Sequence, residues 1–137
     1  MLKMKEPKLF GTWHMAYHVK TVAGLTEDQA SCVLFGNWKR NPYETWCGFE
    51  AKPLKVTIDY PVRKPIVFTL KPKTEVFCGQ KQTYWSLGIF LWQVAQKYVE
   101  IYKDPIKNQI WGHDISDLEF ECVTVKKNGT VELGIGS

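Results

Sequence analysis

The chain has 137 residues, 45% hydrophobic and 23% charged, with 18 Lys and Arg against 14 Asp and Glu. That length suits one domain, residues 1–137, able to bury roughly two-thirds of its unfolded surface without staples, and the composition excludes a disordered chain. The net charge of +4 is uneven: residues 1–74 hold 12 basic and 6 acidic side chains, residues 75–137 hold 6 and 8.

Thr12 to Val19 alternates. Trp13, Met15, Tyr17 and Val19 point one way and Thr12, His14, Ala16 and His18 the other, the pattern of a half-buried strand. Thr26-Glu-Asp-Gln29 has the form of a capping box, with Thr26 as N-cap and Gln29 reaching back. It predicts a short helix from Glu27 through Leu34 or Phe35, ended by Gly36-Asn37, although Val33-Leu34-Phe35 also suits a strand. From Trp38 to Lys52 the pattern is interrupted by Pro42 and Gly48. Leu54, Val56, Ile58 and Tyr60 alternate with Lys55, Thr57 and Asp59, and after Pro61 and Pro65 the run Ile66 to Leu70 reads as the next strand. Pro72 to Gln82, with Gly79, reads as an exposed connection.

Thr83 to Lys103 predicts a long helix with Thr83 capping its first turn. At about 100° per residue, its apolar side chains, from Leu87, Phe90 and Leu91 round to Tyr98 and Trp92, sweep roughly 200°. Gln93, Gln96, Lys97, Glu100 and Lys103 fill the rest, leaving only Ile89 out of place, and Asp104-Pro105 stops the helix. A face that broad needs a curved sheet to lie in. Asn128-Gly129 then predicts a two-residue hairpin turn that sets Thr124 opposite Leu133 and Cys122 opposite Ile135. In that register Leu118, Phe120, Cys122, Val131, Leu133 and Ile135 share one face, and Glu119, Glu121, Thr130 and Glu132 the other.

Few residues carry a chemical signal. The basic side chains are dispersed among apolar positions, as at Lys52, Lys55, Arg63, Lys64, Lys71 and Lys73, like a solvated sheet face and unlike a nucleic-acid stripe. Cys32, Cys47, Cys78 and Cys122 form no CxxC pair and no zinc spacing; Cys32 and Cys47 read as inert core thiols. His14 and His18 would share a metal on a helix, about 6 Å apart, but on a strand they stand roughly 13 Å apart. Dinucleotide, P-loop and nucleophile-elbow glycine motifs do not occur, and Gly134-Ile-Gly136 reads as a strand ending. Asn128-Gly-Thr130 matches a glycosylation sequon but, without a secretory signal at the N-terminus, reads as a turn.

Within Trp111-Gly-His-Asp-Ile-Ser-Asp117 a catalytic residue type falls within reach of carboxylates: His113 as general acid/base, oriented by Asp117. The competing reading is structural, with Gly112 turning the chain, Asp114 or Ser116 capping a short helical turn and Trp111 packing on the long helix. Aromatic residues are 14% of the chain, and Trp85, Trp92, Trp111 and Tyr84 are candidates for a ligand pocket or subunit contact, against core packing as the alternative.

The helix end A-x-x-Y-x-x-I-Y (Ala95, Tyr98, Ile101, Tyr102), W-G-H-D-I-x-D-L (Trp111 to Leu118) and the closing G-I-G-S together resemble small uncharacterised bacterial proteins carried on integron gene cassettes. The likeness covers little more than the last third, residues 87–137. It implies a cytoplasmic, stand-alone α+β domain and brings no activity, cofactor or catalytic residue.

The reading is therefore an α+β fold: an antiparallel, twisted sheet of about five strands on one long helix (83–103), with a shorter helix from Glu27. The function expected is a non-catalytic small-molecule or protein binding domain using Trp85, Trp92, Trp111, His113 and Asp117. The alternatives are a small enzyme built on His113 and Asp117, and, behind it, single-stranded nucleic-acid binding by stacked aromatics. Homodimerisation and a small ligand or protein partner fit this reading; a cofactor, a metal and a membrane do not enter it.

Overall fold

The computed structural model describes residues 11–33, 52–126 and 130–137. In chain order the elements are β1 (Gly11–His18), α1 (Val19–Ala23), α2 (Glu27–Val33), β2 (Leu54–Ile58), β3 (Ile66–Leu70), β4 (Lys73–Phe77), β5 (Gln80–Tyr84), α3 (Leu87–Tyr102), a 3-10 turn at Ile115–Asp117, β6 (Glu119–Val125) and β7 (Val131–Gly136). The class is α+β. Five strands form one sheet in the order β1-β6-β7-β2-β3, and β4 and β5 form a separate ribbon. The large sheet is mixed and not antiparallel as expected: β2 runs parallel to β7, pairing Val56 with Val131 and Thr57 with Glu132. The hairpins β2–β3 and β6–β7 are each antiparallel, and their junction at the sheet centre is the parallel pair.

Alternation places the sheet between core and solvent. Met15, Val56, Ile58, Phe120, Val123 and Val131 are buried on the inner face, while Thr12, His14, Lys55, Thr69 and Glu132 are exposed. The buried side of α3 closes over the inner face with Phe90, Leu91, Val94 and Tyr98, each fully buried and part of the same cluster. Ile89, which the helical wheel left on the polar side, is buried as well, because α1 and α2 pack against α3 and extend its covered arc. Gly88 lies directly against α2: a Cβ there would collide with the Ala30 carbonyl and lie 2.8 Å from Ser31 Cα.

The helix begins at Leu87, later than the expected Thr83. Thr83 and Tyr84 pair with Thr74 and Lys73 in the ribbon β4–β5, and Ser86, in extended conformation, caps the helix by accepting the Ile89 N–H at 3.1 Å. That ribbon occupies residues read as a plain connection. Its turn is Cys78-Gly79, both at positive φ (52° and 76°), the geometry of a tight two-residue hairpin. The strands are largely exposed, so no apolar alternation announced them. Two strands alone are marginal in water. Lys73, expected on a solvated face, anchors this pair through Glu27 (3.1 Å), Asp28 (2.7 Å) and Glu75 (3.1 Å), tying the ribbon to the start of α2.

The capping box holds. Gln29 N–H donates to Thr26 Oγ1 at 3.1 Å and Thr26 N–H to Gln29 Oε1 at 3.0 Å. Leu34 and Phe35 lie outside the described residues, as does the Asn128-Gly129 turn. The register of the last hairpin differs from expectation: Thr124 faces Glu132, and Ile135 faces Phe120. The ladder shifts between Phe120 and Cys122, so Glu121 and Cys122 both leave the inner face and Val123 takes the core position assigned to Cys122. Gly134 and Gly136 make room for this: Cβ atoms there would collide with Cys122 Sγ and the Glu121 carboxylate.

Gly88→Val should force α2 off α3 and cost about 2 kcal/mol, read as a lower urea midpoint; an unchanged midpoint would show that the two helices do not depend on this contact.

Candidate functional site

At the end of β2 the chain passes through Asp59 and Tyr60 into Pro61 across a cis peptide bond. Val62 bridges to Ile110, Trp111 N–H donates to the Pro61 carbonyl at 3.0 Å, and Arg63 N–H to the Gln109 carbonyl at 3.1 Å. These contacts bring the segment after α3 beside the end of β2. Gln109 (φ 54°) and Gly112 (φ 65°) supply the two left-handed turns this path needs.

Two tyrosines one helical turn apart on α3 fix both segments from below. Tyr98 donates its hydroxyl to the Tyr60 carbonyl at 2.6 Å, and Tyr102 donates to the His113 carbonyl at 3.0 Å. Above them three rings meet: Tyr60 and Trp111 with centroids 5.8 Å apart at 84°, Trp111 and His113 at 5.1 Å and 68°, Tyr60 and His113 at 5.3 Å. Edge-to-face contacts of this kind add about 0.5–1.5 kcal/mol each beyond the area they bury. The Tyr60 hydroxyl lies 3.0 Å from His113 Nε2 and 2.7 Å from Ser137 Oγ. A phenol has one proton, so it donates to one of these neighbours and accepts from the other; either imidazole tautomer is satisfied. Trp111 remains 42% exposed although both flanking rings are held.

Of the candidate residues, the structure brings Trp111 and His113 together. Asp117 does not orient His113. Its Oδ2 accepts the Asp114 N–H at 3.2 Å, and Asp114 accepts from Ile115 N–H (2.9 Å) and the Ser116 hydroxyl (2.7 Å), closing a capping box on the 3-10 turn. Those donors hold the Asp114 carboxyl below the usual carboxylate range. Trp85 is interior, 2% exposed, packed edge-on to Phe90 and donating Nε1–H to the Lys52 carbonyl at 2.9 Å. Trp92 is half-buried on another face, donating Nε1–H to the Leu25 carbonyl at 2.8 Å. Tyr84 donates to Glu75 at the base of the ribbon, and burial raises its phenol. Tyr60 is the site residue that the sequence does not single out: it reads as the last apolar residue of a strand, and its hydroxyl meets His113, 53 positions away, only in the folded chain.

His14 and His18 lie on strand β1, and no group of three or more His, Cys, Asp or Glu among the described residues is arranged to hold a metal ion. Cys32, expected in the core, is exposed, because α2 turns Ala30 and not Cys32 toward α3; Cys47 lies outside the described residues. No helix among the described residues is long and apolar enough to cross a membrane. The chain matches no family model, and no curated protein or solved structure matches it significantly.

Burial, followed by the negative charge of Asp114, pushes the Tyr102 phenol up to about 12, and burial raises Tyr98 as well. A phenol raised on folding stabilises the fold fully below its unfolded value of about 10 and loses that contribution as pH rises through the folded value. Tyrosine absorbance followed over the alkaline range from about pH 9 to about pH 12.5 should therefore show a late step coincident with loss of ellipticity. Complete ionisation near the unfolded value with ellipticity intact would contradict the two hydroxyl contacts at the rim of the core.

Proposed function

We propose that the chain is a non-catalytic binding domain for a small ligand or a protein partner, with the Tyr60–Trp111–His113 surface as its recognition site. The observation that carries this reading is a Trp ring left 42% exposed while its neighbours are immobilised by hydrogen bonds from the helix beneath. An exposed indole gains affinity when its side chain and support are already ordered, because less conformational freedom is lost on binding.

The enzyme reading rests on a different observation, the chain Ser137–Tyr60–His113 with its two short contacts. It lacks the carboxylate it was built on, since Asp117 is engaged at Asp114, and the same contacts serve to hold the rings in place. The binding reading is preferred. A cytoplasmic setting and an origin among integron cassette proteins belong to the proposal, supported by the absence of cysteine pairing motifs and by the Ala95–Tyr102 and Trp111–Leu118 motifs.

Anilinonaphthalene sulfonate, a probe of exposed apolar surface, should bind the native protein with a fluorescence gain that Trp111→Ala reduces several-fold. The thermal midpoint should fall by several degrees while unfolding stays cooperative, since the ring contacts to Tyr60 and His113, about 0.5–1.5 kcal/mol each, are lost. No binding by the native chain, or equal binding by the variant, would overturn the assignment.

A further inference from the structure

Past the cis bond at Pro61 the chain makes a single antiparallel bridge with the segment after α3. Val62 pairs with Ile110, flanked by the Trp111 N–H on the Pro61 carbonyl and the Arg63 N–H on the Gln109 carbonyl. Successive side chains of an extended segment point to opposite sides. Val62 is buried and Ile110 packs against the core, so Arg63 and Trp111, each one residue further on, turn to the solvent side. Both are exposed. They are diagonal neighbours across the bridge, a spacing of about 7–8 Å that long and aromatic side chains can span. Among the described residues the Arg63 guanidinium makes no ion pair, side-chain hydrogen bond or ring contact. The 18 Lys and Arg of the chain are nearly all lysine, Arg40 being the other arginine, so the guanidinium beside Trp111 is not a sample of the general basic surface.

We infer that the ligand of this surface is a planar anion, an aromatic carboxylate or sulfonate whose ring lies on Trp111 and whose acid group is held by Arg63. The inference rests on the reading of Trp111 as the recognition site and names the chemistry of what binds there. An indole and a guanidinium set side by side, with no contact between them, offer an apolar plane and a cationic fork to one molecule. The fork matches an acid group with two parallel hydrogen bonds, which an ammonium, a point charge, cannot supply. Tyr60 and His113 occupy part of the indole edge-on, and the ligand takes the part that stays exposed. The carboxylates after α3 serve their own segment: Asp104 accepts the Lys107 N–H at 3.1 Å, and Asp114 and Asp117 close the capping box. None of them neutralises Arg63. A cationic ligand would meet Arg63 as like charge, and a neutral ring would leave the guanidinium unused.

Two dyes test this: anilinonaphthalene sulfonate, and phenylnaphthylamine, the same ring system without the sulfonate. Arg63→Gln should weaken binding of the sulfonate dye about three- to fivefold, the upper range for an exposed ion pair, and leave the neutral dye unchanged. The exposed Arg63 side chain supports no other contact, so this variant should keep the native ellipticity. Lys64→Gln removes the same charge one residue further on and should change neither dye. Trp111→Ala should weaken both. The inference is overturned if Arg63→Gln binds the sulfonate dye as tightly as the native chain, weakens both dyes alike, or is matched by Lys64→Gln. In each of those cases Trp111 stands as a recognition site as long as its own variant weakens both dyes. If Trp111→Ala spares both dyes, the site itself is lost and the inference with it.

Discussion

Burial of one side of α3 against the sheet is the contact on which the rest of the molecule depends. Phe90, Leu91, Val94 and Tyr98 lose essentially all their solvent exposure there, and each large side chain so buried contributes roughly 1.5–3 kcal/mol. The sheet has the complementary need. Val56, Ile58, Phe120, Val123 and Val131 would otherwise face water on a single-sided sheet. Once the helix is seated, its polar side becomes a set of fasteners. Gln96 reaches the Ala23 carbonyl, Gln93 the Lys71 carbonyl and Trp92 the Leu25 carbonyl, each at 2.8 Å, satisfying backbone acceptors at the ends of α1 and β3.

The same helix determines the candidate site. Tyr98 and Tyr102 have their rings in or against the core and their hydroxyls at its rim, so the position of the Tyr60 and His113 backbones is set by packing far from the surface. Surface recognition and core stability are coupled through two phenols. That coupling explains why a loop with two residues in left-handed conformation stays ordered: it is held at Pro61, Val62 and Arg63 on one side and at His113 on the other.

Much of this was legible in the sequence wherever a strong local pattern coincided with burial. The alternation of Thr12 to His18, Leu54 to Ile58 and Ile66 to Leu70, and the Thr26–Gln29 box, needed no tertiary information, although Val19, read as the end of the first strand, opens α1 and the ladder shifts between His14 and Tyr17. Other features lacked such a signal. The β4–β5 ribbon buries little of either face and turns on Cys78-Gly79, a turn less conspicuous than Asn-Gly. The bulge at Glu121–Cys122 depends on two missing side chains, Gly134 and Gly136, on the neighbouring strand. Parallel pairing of β2 with β7 joins residues more than 70 positions apart, beyond the reach of any periodicity. At the site, Trp111 and His113 stood out by type, but Asp117 had a nearer use as a helix cap, and Trp85 carried its indole into the core. Tyr60 became visible only when the fold brought residue 60 to residue 113.

Native-state hydrogen exchange in increasing urea tests the central dependence most directly, comparing amides of Phe90 to Tyr98 with those of Phe120 to Val123. If α3 and the sheet are one cooperative unit, both sets open with a single free energy equal to that of global unfolding. Helix amides that exchange through a lower-energy opening, while β6 stays protected, would show that the sheet stands without its cover and would contradict the account.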